Sequence, residues 1–172
     1  VVVRDGSVYA LAGRSSYLDG GMVFVKLDAQ TGRPLLTRRI YSRDPETGRQ
    51  TVDDVDDLYL AGLLYDVPSS QGDSIFVREA RLSLAGDMIS EAEPHLYSVG
   101  GFLDDTWWHR YYMLYGTRFK NGPGGGLGRS GGAPYGRLLA FDDRNVYGFG
   151  EANRTRYHLF CAKKDRAKPP SP

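Results

Sequence analysis

The residues best equipped for chemistry are gathered in one short stretch, Asp104-Asp105-Thr106-Trp107-Trp108-His109-Arg110. An aspartate beside a histidine can orient the imidazole as a base, and indole rings can stack on a planar ligand or a sugar. Asp104, Asp105, Trp107, Trp108, His109 and Arg110 are therefore the candidate ligand-binding residues. A polar cluster closing a junction between sheets would use the same residues and is the simpler reading, so no catalytic residue is assigned.

Other groupings offer less. Val52-Asp53-Asp54-Val55-Asp56-Asp57 collects four carboxylates. An EF-hand, however, needs alternating oxygen ligands, a glycine and a closing glutamate, so a solvated acidic loop is preferred. Gly126-Leu127-Gly128-Arg129-Ser130-Gly131 fits G-x-G-x-x-G in form only. A dinucleotide site needs that motif between a strand and a helix, and here it sits in a glycine run with Pro123 and Pro134 close by. His95, His109 and His158 lack zinc spacing, and Ser15, Ser16 and Ser130 lie in no nucleophile elbow. No metal site is expected. Arg110, Arg118, Lys120, Arg129 and Arg137 interleave with Tyr111, Tyr112, Tyr115 and Phe119. That pattern can bind single strands, yet 22 basic against 21 acidic residues leave a net charge of only +1. Nucleic acid is therefore not an expected partner. No apolar run approaches the ~18 residues of a membrane-spanning helix.

The elements that would carry these residues are strands. Of 172 residues, 22 are glycine and 12 tyrosine, while a single cysteine, Cys161, excludes an internal disulfide. β-Branched and aromatic runs at 7–12, 22–27, 35–41, 74–84, 111–119, 136–141, 145–149 and 157–162 are bounded by turn residues such as Asp5-Gly6, Thr31-Gly32, Thr47-Gly48 and Asp142-Asp143. One helix is predicted, over Val55–Tyr65, where apolar residues crowd one side despite Gly62. Everything else reads as all-β.

A repeat emerges when the strands are aligned. Asp5-Gly6-Ser7-Val8-Tyr9 returns as Gly72-Asp73-Ser74-Ile75-Phe76 and as Asp142-Asp143-Arg144-Asn145-Val146-Tyr147. Each copy leads from a polar turn into a β-branched residue and then an aromatic one. The β-branched positions 8, 75 and 146 are 67 and 71 residues apart, against about 40–50 for a propeller blade. Inserted loops at 43–57 and 121–132 account for the excess. Small sheets that cannot bury both faces alone are stabilised by stacking around an axis.

Val25-Lys26-Leu27-Asp28-Ala29-Gln30-Thr31-Gly32 resembles the A-L-D-A-x-T-G-x-x-L-W signature of PQQ-like β-propeller repeats, with Leu36 where the docking tryptophan would stand. Residues 96–163, together with Ala12–Gly21, are similar to blocks in large bacterial (planctomycete-like) proteins of that kind. The resemblance implies a partial propeller of about three blades over 1–164, with units near 5–42, 58–100 and 101–164 and a linker or tail at 165–172. In a working quinoprotein, a Glu and an Asn would hold Ca²⁺ against the quinone and an Asp would act as base. Here no such set can be matched and Cys161 stands alone, so no cofactor is expected, with PQQ and Ca²⁺ as the alternative.

Val1–Gly6 reads as a strand entering a turn, and Ala167–Pro172 as a linker, so the chain is expected to be a piece of a longer envelope, periplasmic or secreted bacterial protein. The expected role is a non-catalytic scaffold or a ligand- or protein-recognition module. Its partners would be the remaining blades and another protein or a carbohydrate. The alternatives are a segment of a PQQ-dependent oxidoreductase and a carbohydrate-binding module.

Overall fold

The structure, a computed structural model, describes residues 1–18, 20–49, 55–56, 59–60, 63–98, 113–117, 133–153 and 156–167. They are all-β: sixteen strands form four antiparallel sheets of three or four strands and one two-stranded ribbon. The chain divides into two compact units, Val1–Ser90 and Glu91–Pro172. No helix among the described residues is long and apolar enough to cross a membrane.

The first unit opens with a meander of β1 (Val2–Arg4), β2 (Ser7–Ala12), β3 (Met22–Asp28) and β4 (Pro34–Ile40). Asp5 and Gly6 close the first hairpin with φ of 47° and 70°. Two successive positive φ angles give a turn whose twist matches that of the flanking strands. Asp28 closes the β3–β4 hairpin through its side chain. Its Oδ1 accepts from Gln30 N (3.1 Å), Thr31 N (2.8 Å) and Thr31 Oγ1 (2.8 Å), while Gly32 N donates to the Asp28 carbonyl at 2.9 Å. These bonds favour the ionised carboxylate and hold Asp28 below the usual range, the Thr31 hydroxyl contributing most.

The same six-residue turn occurs again at Asp44-Pro45-Glu46-Thr47-Gly48-Arg49. Asp44 Oδ1 accepts from Glu46 N (2.9 Å), Thr47 N (2.7 Å) and Thr47 Oγ1 (2.9 Å). Asp44 N donates to the Arg49 carbonyl at 2.9 Å, as Asp28 N does to that of Arg33.

β5 (Val55–Asp56) pairs with β6 (Tyr59–Leu60) as an antiparallel ribbon. The helix predicted over 55–65 is thus corrected to strands. Its apolar crowding reflects Val55, Tyr59 and Leu60, residue types that suit extended backbone at least as well as helix. The second four-stranded meander is β7 (Ser69–Gln71), β8 (Ser74–Val77), β9 (Ala80–Ser83) and β10 (Met88–Ile89). The single strand predicted over 74–84 is a hairpin, turning at Arg78 with φ 52°.

The first meander lays one face on the second. Tyr9, Met22, Phe24 and Ile40 pack with Ile75, Val77 and Leu82, joined by Leu63, and all are buried. Strand pairing puts Arg4 and Arg38 on that same face of the first sheet. Arg4 reaches the Gly72 carbonyl and Asp73 in the β7–β8 turn, and Arg38 pairs with Asp87 before β10. The first strand therefore lies over the first strand of the next sheet, and the fourth over the fourth.

In the second unit, β11 (His95–Ser98), β12 (Met113–Gly116) and β13 (Tyr135–Gly136) form one sheet. β14 (Leu138–Phe141), β15 (Asn145–Asn153) and β16 (Arg156–Lys163) form another, and a 3₁₀ turn follows at Lys164–Ala167. Tyr115 and Val146 are the buried centre between them, with Leu96, Leu139 and Phe141 around. The Lys164 ammonium lies 5.2 Å from the Tyr115 ring centre and 4.5 Å from that of Phe141. Partial burial lowers its pKa. The sequence repeat predicts three sheets, whereas the described residues form four of three or four strands, because β11–β13 occupies the interval between the second and third copies.

Gly86 shows how close the first joint is. A Cβ there would sit 2.6 Å from Phe24 Cδ1, at a φ of 78°, whereas Gly32 has φ 69° and open space. Gly86→Ala is expected to cost about 2–3 kcal/mol through overpacking and backbone strain together. Gly32→Ala should cost only about 1 kcal/mol from the backbone. Urea unfolding of both variants checks this, and equal losses would count against the Phe24 contact.

Candidate functional site

Asp104, Asp105, Trp107, Trp108, His109 and Arg110 lie outside the described residues, as do Asp53, Asp54, Asp57 and the whole stretch 118–132. The other predicted groups are placed apart and in structural settings. His95 is buried, its Nδ1 donating to the Glu93 carbonyl at 2.7 Å with its ring 5.2 Å from Tyr97. His158 lies in the exposed rim of β16, its ring 5.9 Å from Phe160. Ser16 is wholly buried and braces three chain segments: its Oγ accepts from Leu63 N at 2.9 Å and from Ser42 Oγ at 2.8 Å. These bonds make Ser16 a tie between the segments of Ser42 and Leu63.

What the structure does assemble is an exposed apolar face on the β14–β16 sheet. Strand pairing sets Leu138, Phe149 and Leu159 in one row and Ala140, Tyr147 and Cys161 in the next. Leu138 is 69% exposed and Leu159 83%. Tyr157 stacks on Phe149, with ring centres 5.4 Å apart at 20°, and the Arg137 guanidinium lies 4.9 Å over Tyr157. The alternation follows from β15, where Tyr147 and Phe149 point outward while Gly148 and Gly150 take the inner positions. A Cβ on Gly148 would lie 2.4 Å from the Phe160 ring and 2.5 Å from Leu139, so only glycine lets those side chains close over the strand.

The rim of this face is polar and fixed. Asp142 Oδ1 accepts from Arg144 N and Asn145 N, both at 2.7 Å, and Oδ2 accepts from the Tyr147 hydroxyl at 2.7 Å. Asn145 Nδ2 donates to the same hydroxyl at 3.3 Å. The Arg144 amide is the largest cause, followed by the Tyr147 hydroxyl, and together these donors bring Asp142 down to about 2. Donation to Asp142 in turn raises Tyr147. At neutral pH the pair is a carboxylate and a phenol, suited to orienting a partner rather than moving protons. Cys161, Ala162, Lys163 and Asp165 line a surface groove at the end of β16.

Among the described residues no three His, Cys, Asp or Glu side chains converge as a metal site would require. Sequence reasoning placed Val146 and Tyr147 in the repeat but did not identify the exposed face. The usable signal was Tyr147-Gly148-Phe149-Gly150, rings alternating with glycine.

The Asp142 carboxyl should titrate near 2 by carbon NMR, and Tyr147→Phe should move its midpoint upward. Because the folded value is depressed, this turn adds stability above the ordinary carboxyl range and loses it as pH falls from about 4 toward 2. An unchanged midpoint in the variant would remove the Tyr147 hydroxyl as a cause. Comparison with protein-family models, curated proteins and solved structures finds no match to this chain.

Proposed function

We propose that this chain is a segment of a PQQ-like β-propeller serving as a scaffold or recognition module in a larger envelope or secreted bacterial protein, without catalysis of its own. One observation carries the reading. Tyr9 and Phe76 hold the same position in the sequence repeat, and both are buried. Tyr9 faces the β7–β10 sheet, whereas pairing sets Phe76 on the side of its own sheet opposite Ile75 and Val77, away from β1–β4. Two sheets related by a two-fold axis between them would meet through equivalent faces. Here unlike faces meet and strand order is kept, which is how successive blades follow one another around an axis. The resemblance of 25–32, 12–21 and 96–163 to PQQ-like repeats supports the same reading.

The face of β14–β16 suits recognition, because large rigid rings give contact area at little cost in conformational entropy. Function on this fold is argued from that face and otherwise by analogy.

Titration of the chain with PQQ in excess Ca²⁺, followed by quinone absorbance, is expected to show no saturable binding at high micromolar quinone. Saturable, Ca²⁺-dependent binding would overturn the non-catalytic reading in favour of a quinoprotein oxidoreductase. The stacking has its own test in a double-mutant cycle on Arg38→Ala and Asp87→Ala. A coupling of about 0.5 kcal/mol is expected for this partly exposed pair. A coupling of zero would detach β4 from the β9–β10 turn.

A further inference from the structure

We infer that Asn153 is an acceptor for an N-linked glycan, transferred outside the cytoplasm from a lipid-linked oligosaccharide. The inference rests on the envelope or secreted reading of the chain only for where the transferase would be met.

Three asparagines occur in the chain, Asn121, Asn145 and Asn153. The first stands in Asn121-Gly122-Pro123 and the second in Asn145-Val146-Tyr147, neither with a hydroxyl-bearing Ser or Thr two residues on. Asn153-Arg154-Thr155 alone fits N-x-[ST] with a residue other than proline between. Those three residues are a weak signal by themselves. Glu151 sharpens it, because the whole stretch reads Glu151-Ala152-Asn153-Arg154-Thr155. Transferases of the bacterial envelope require a carboxylate two residues before the asparagine, read through a charge-assisted contact with a cation of their own. Thr155 lies outside the described residues; its hydroxyl, not its placement, is what the acceptor sequence demands.

The backbone makes this stretch available. Asn153 ends β15 and pairs with Arg156 at the start of β16, so the acceptor stands at the tip of that hairpin. β14 pairs with β15 only as far as Phe149, and β13 comes alongside at Gly150. From Glu151 onward, among the described residues, β15 is paired by β16 alone. Four residues at about 3.3 Å each carry Asn153 roughly 13 Å past Phe149. The ladder also breaks here: Glu151 opposes Tyr157 and Asn153 opposes Arg156, so Ala152 has no opposite number. This bulge leaves a single residue pair to hold the tip, and opening one terminal pair costs little. A transferase that must draw its acceptor out of a ladder meets least resistance at such a place.

The transfer balances without a further reagent. The Asn153 carboxamide nitrogen attacks C1 of the first sugar, and the C1–O bond to the lipid diphosphate breaks. The diphosphate departs with the bonding pair, and the nitrogen gives up one proton to a base of the transferase. A bulky, hydrated glycan at this tip would shade the stretch of β15 that β14 does not pair, a strand edge that otherwise invites further strands.

Incubation of the folded chain with a purified bacterial oligosaccharyltransferase, Mn²⁺ and a lipid diphosphate-linked oligosaccharide tests this, with the enzyme shown active on a free acceptor peptide. The intact mass should rise from 19.1 kDa by one glycan, which fragmentation places on Asn153. Asn153→Gln should take none. Thr155→Val should slow transfer about 10⁴-fold, the loss typical of a site built to bond a hydroxyl. Glu151→Gln should slow it at least about tenfold, as for a lost charge-assisted hydrogen bond. Circular dichroism verifies that each variant folds like the wild type. A wild-type chain left unmodified overturns the inference, as does transfer that survives Asn153→Gln or is unchanged in Thr155→Val. Equal rates for wild type and Glu151→Gln overturn the bacterial-envelope transferase as the source of the glycan. Enzyme and chain meet in solution, so failure here leaves the scaffold reading standing, and quinone binding would sink that reading without touching Asn153.

Discussion

The first unit depends on the burial of Tyr9, Met22 and Phe24 against Ile75, Val77 and Leu82. Neither meander could persist alone, since a single small sheet leaves one apolar face in water. Burying one such side chain is worth about 1.5–3 kcal/mol, and the six together dominate anything else that joins the two sheets. Arg4 and Arg38 sit at the ends of this contact and are partly exposed, so their contribution is chiefly one of register. They keep the first strand over the first strand and the fourth over the fourth. The apolar contact supplies most of the strength of the joint and the arginines its direction.

The same division recurs in the second unit with different chemistry. Tyr115 and Val146 meet at the centre, and Lys164 spans the Tyr115 and Phe141 rings where an acid could have stood. A partly buried ammonium held by two ring faces gives up some hydration, which explains why its pKa falls. At neither joint do three His, Cys, Asp or Glu side chains converge among the described residues. What remains chemically distinctive is a surface, the ring-bearing side of β14–β16 with Asp142 and Tyr147 locked at its edge.

Much of the strand pattern was legible because its causes are local. Alternation and turn residues marked 7–12, 22–27, 35–41, 136–141, 145–149 and 157–162. The failures have equally physical reasons. Arg78 turns a hairpin without any turn-forming residue, since packing of Ile75, Val77 and Leu82 fixes the pairing and the loop must follow it. The strand predicted over 111–119 contains Met113–Gly116, but its sheet went unrecognised because its partner strand His95–Ser98 lies in a contact no short window contains. The exposed face was illegible for a further reason: sequence alternation shows that a strand has two unlike sides, not which of them another sheet will cover. The aspartates, tryptophans, histidine and arginine at 104–110 lie outside the described residues and add nothing to that comparison.

The repeated Asp-x-x-Thr-Gly-Arg turn bears on the order in which the chain folds. Asp28 and Asp44 complete their bonds within six residues, so neither turn waits for a distant partner. Closing so short a loop takes about 10–100 ns and forming a hairpin about 1–10 μs. The joint of Tyr9 with Ile75, by contrast, spans more than sixty residues and must wait for loop closure on that scale. The β3–β4 hairpin can therefore stand, with Phe24 already on one side, as a template onto which β2 adds before any second sheet exists. Folding of this unit would begin at its hydroxyl-braced turns and end at its core.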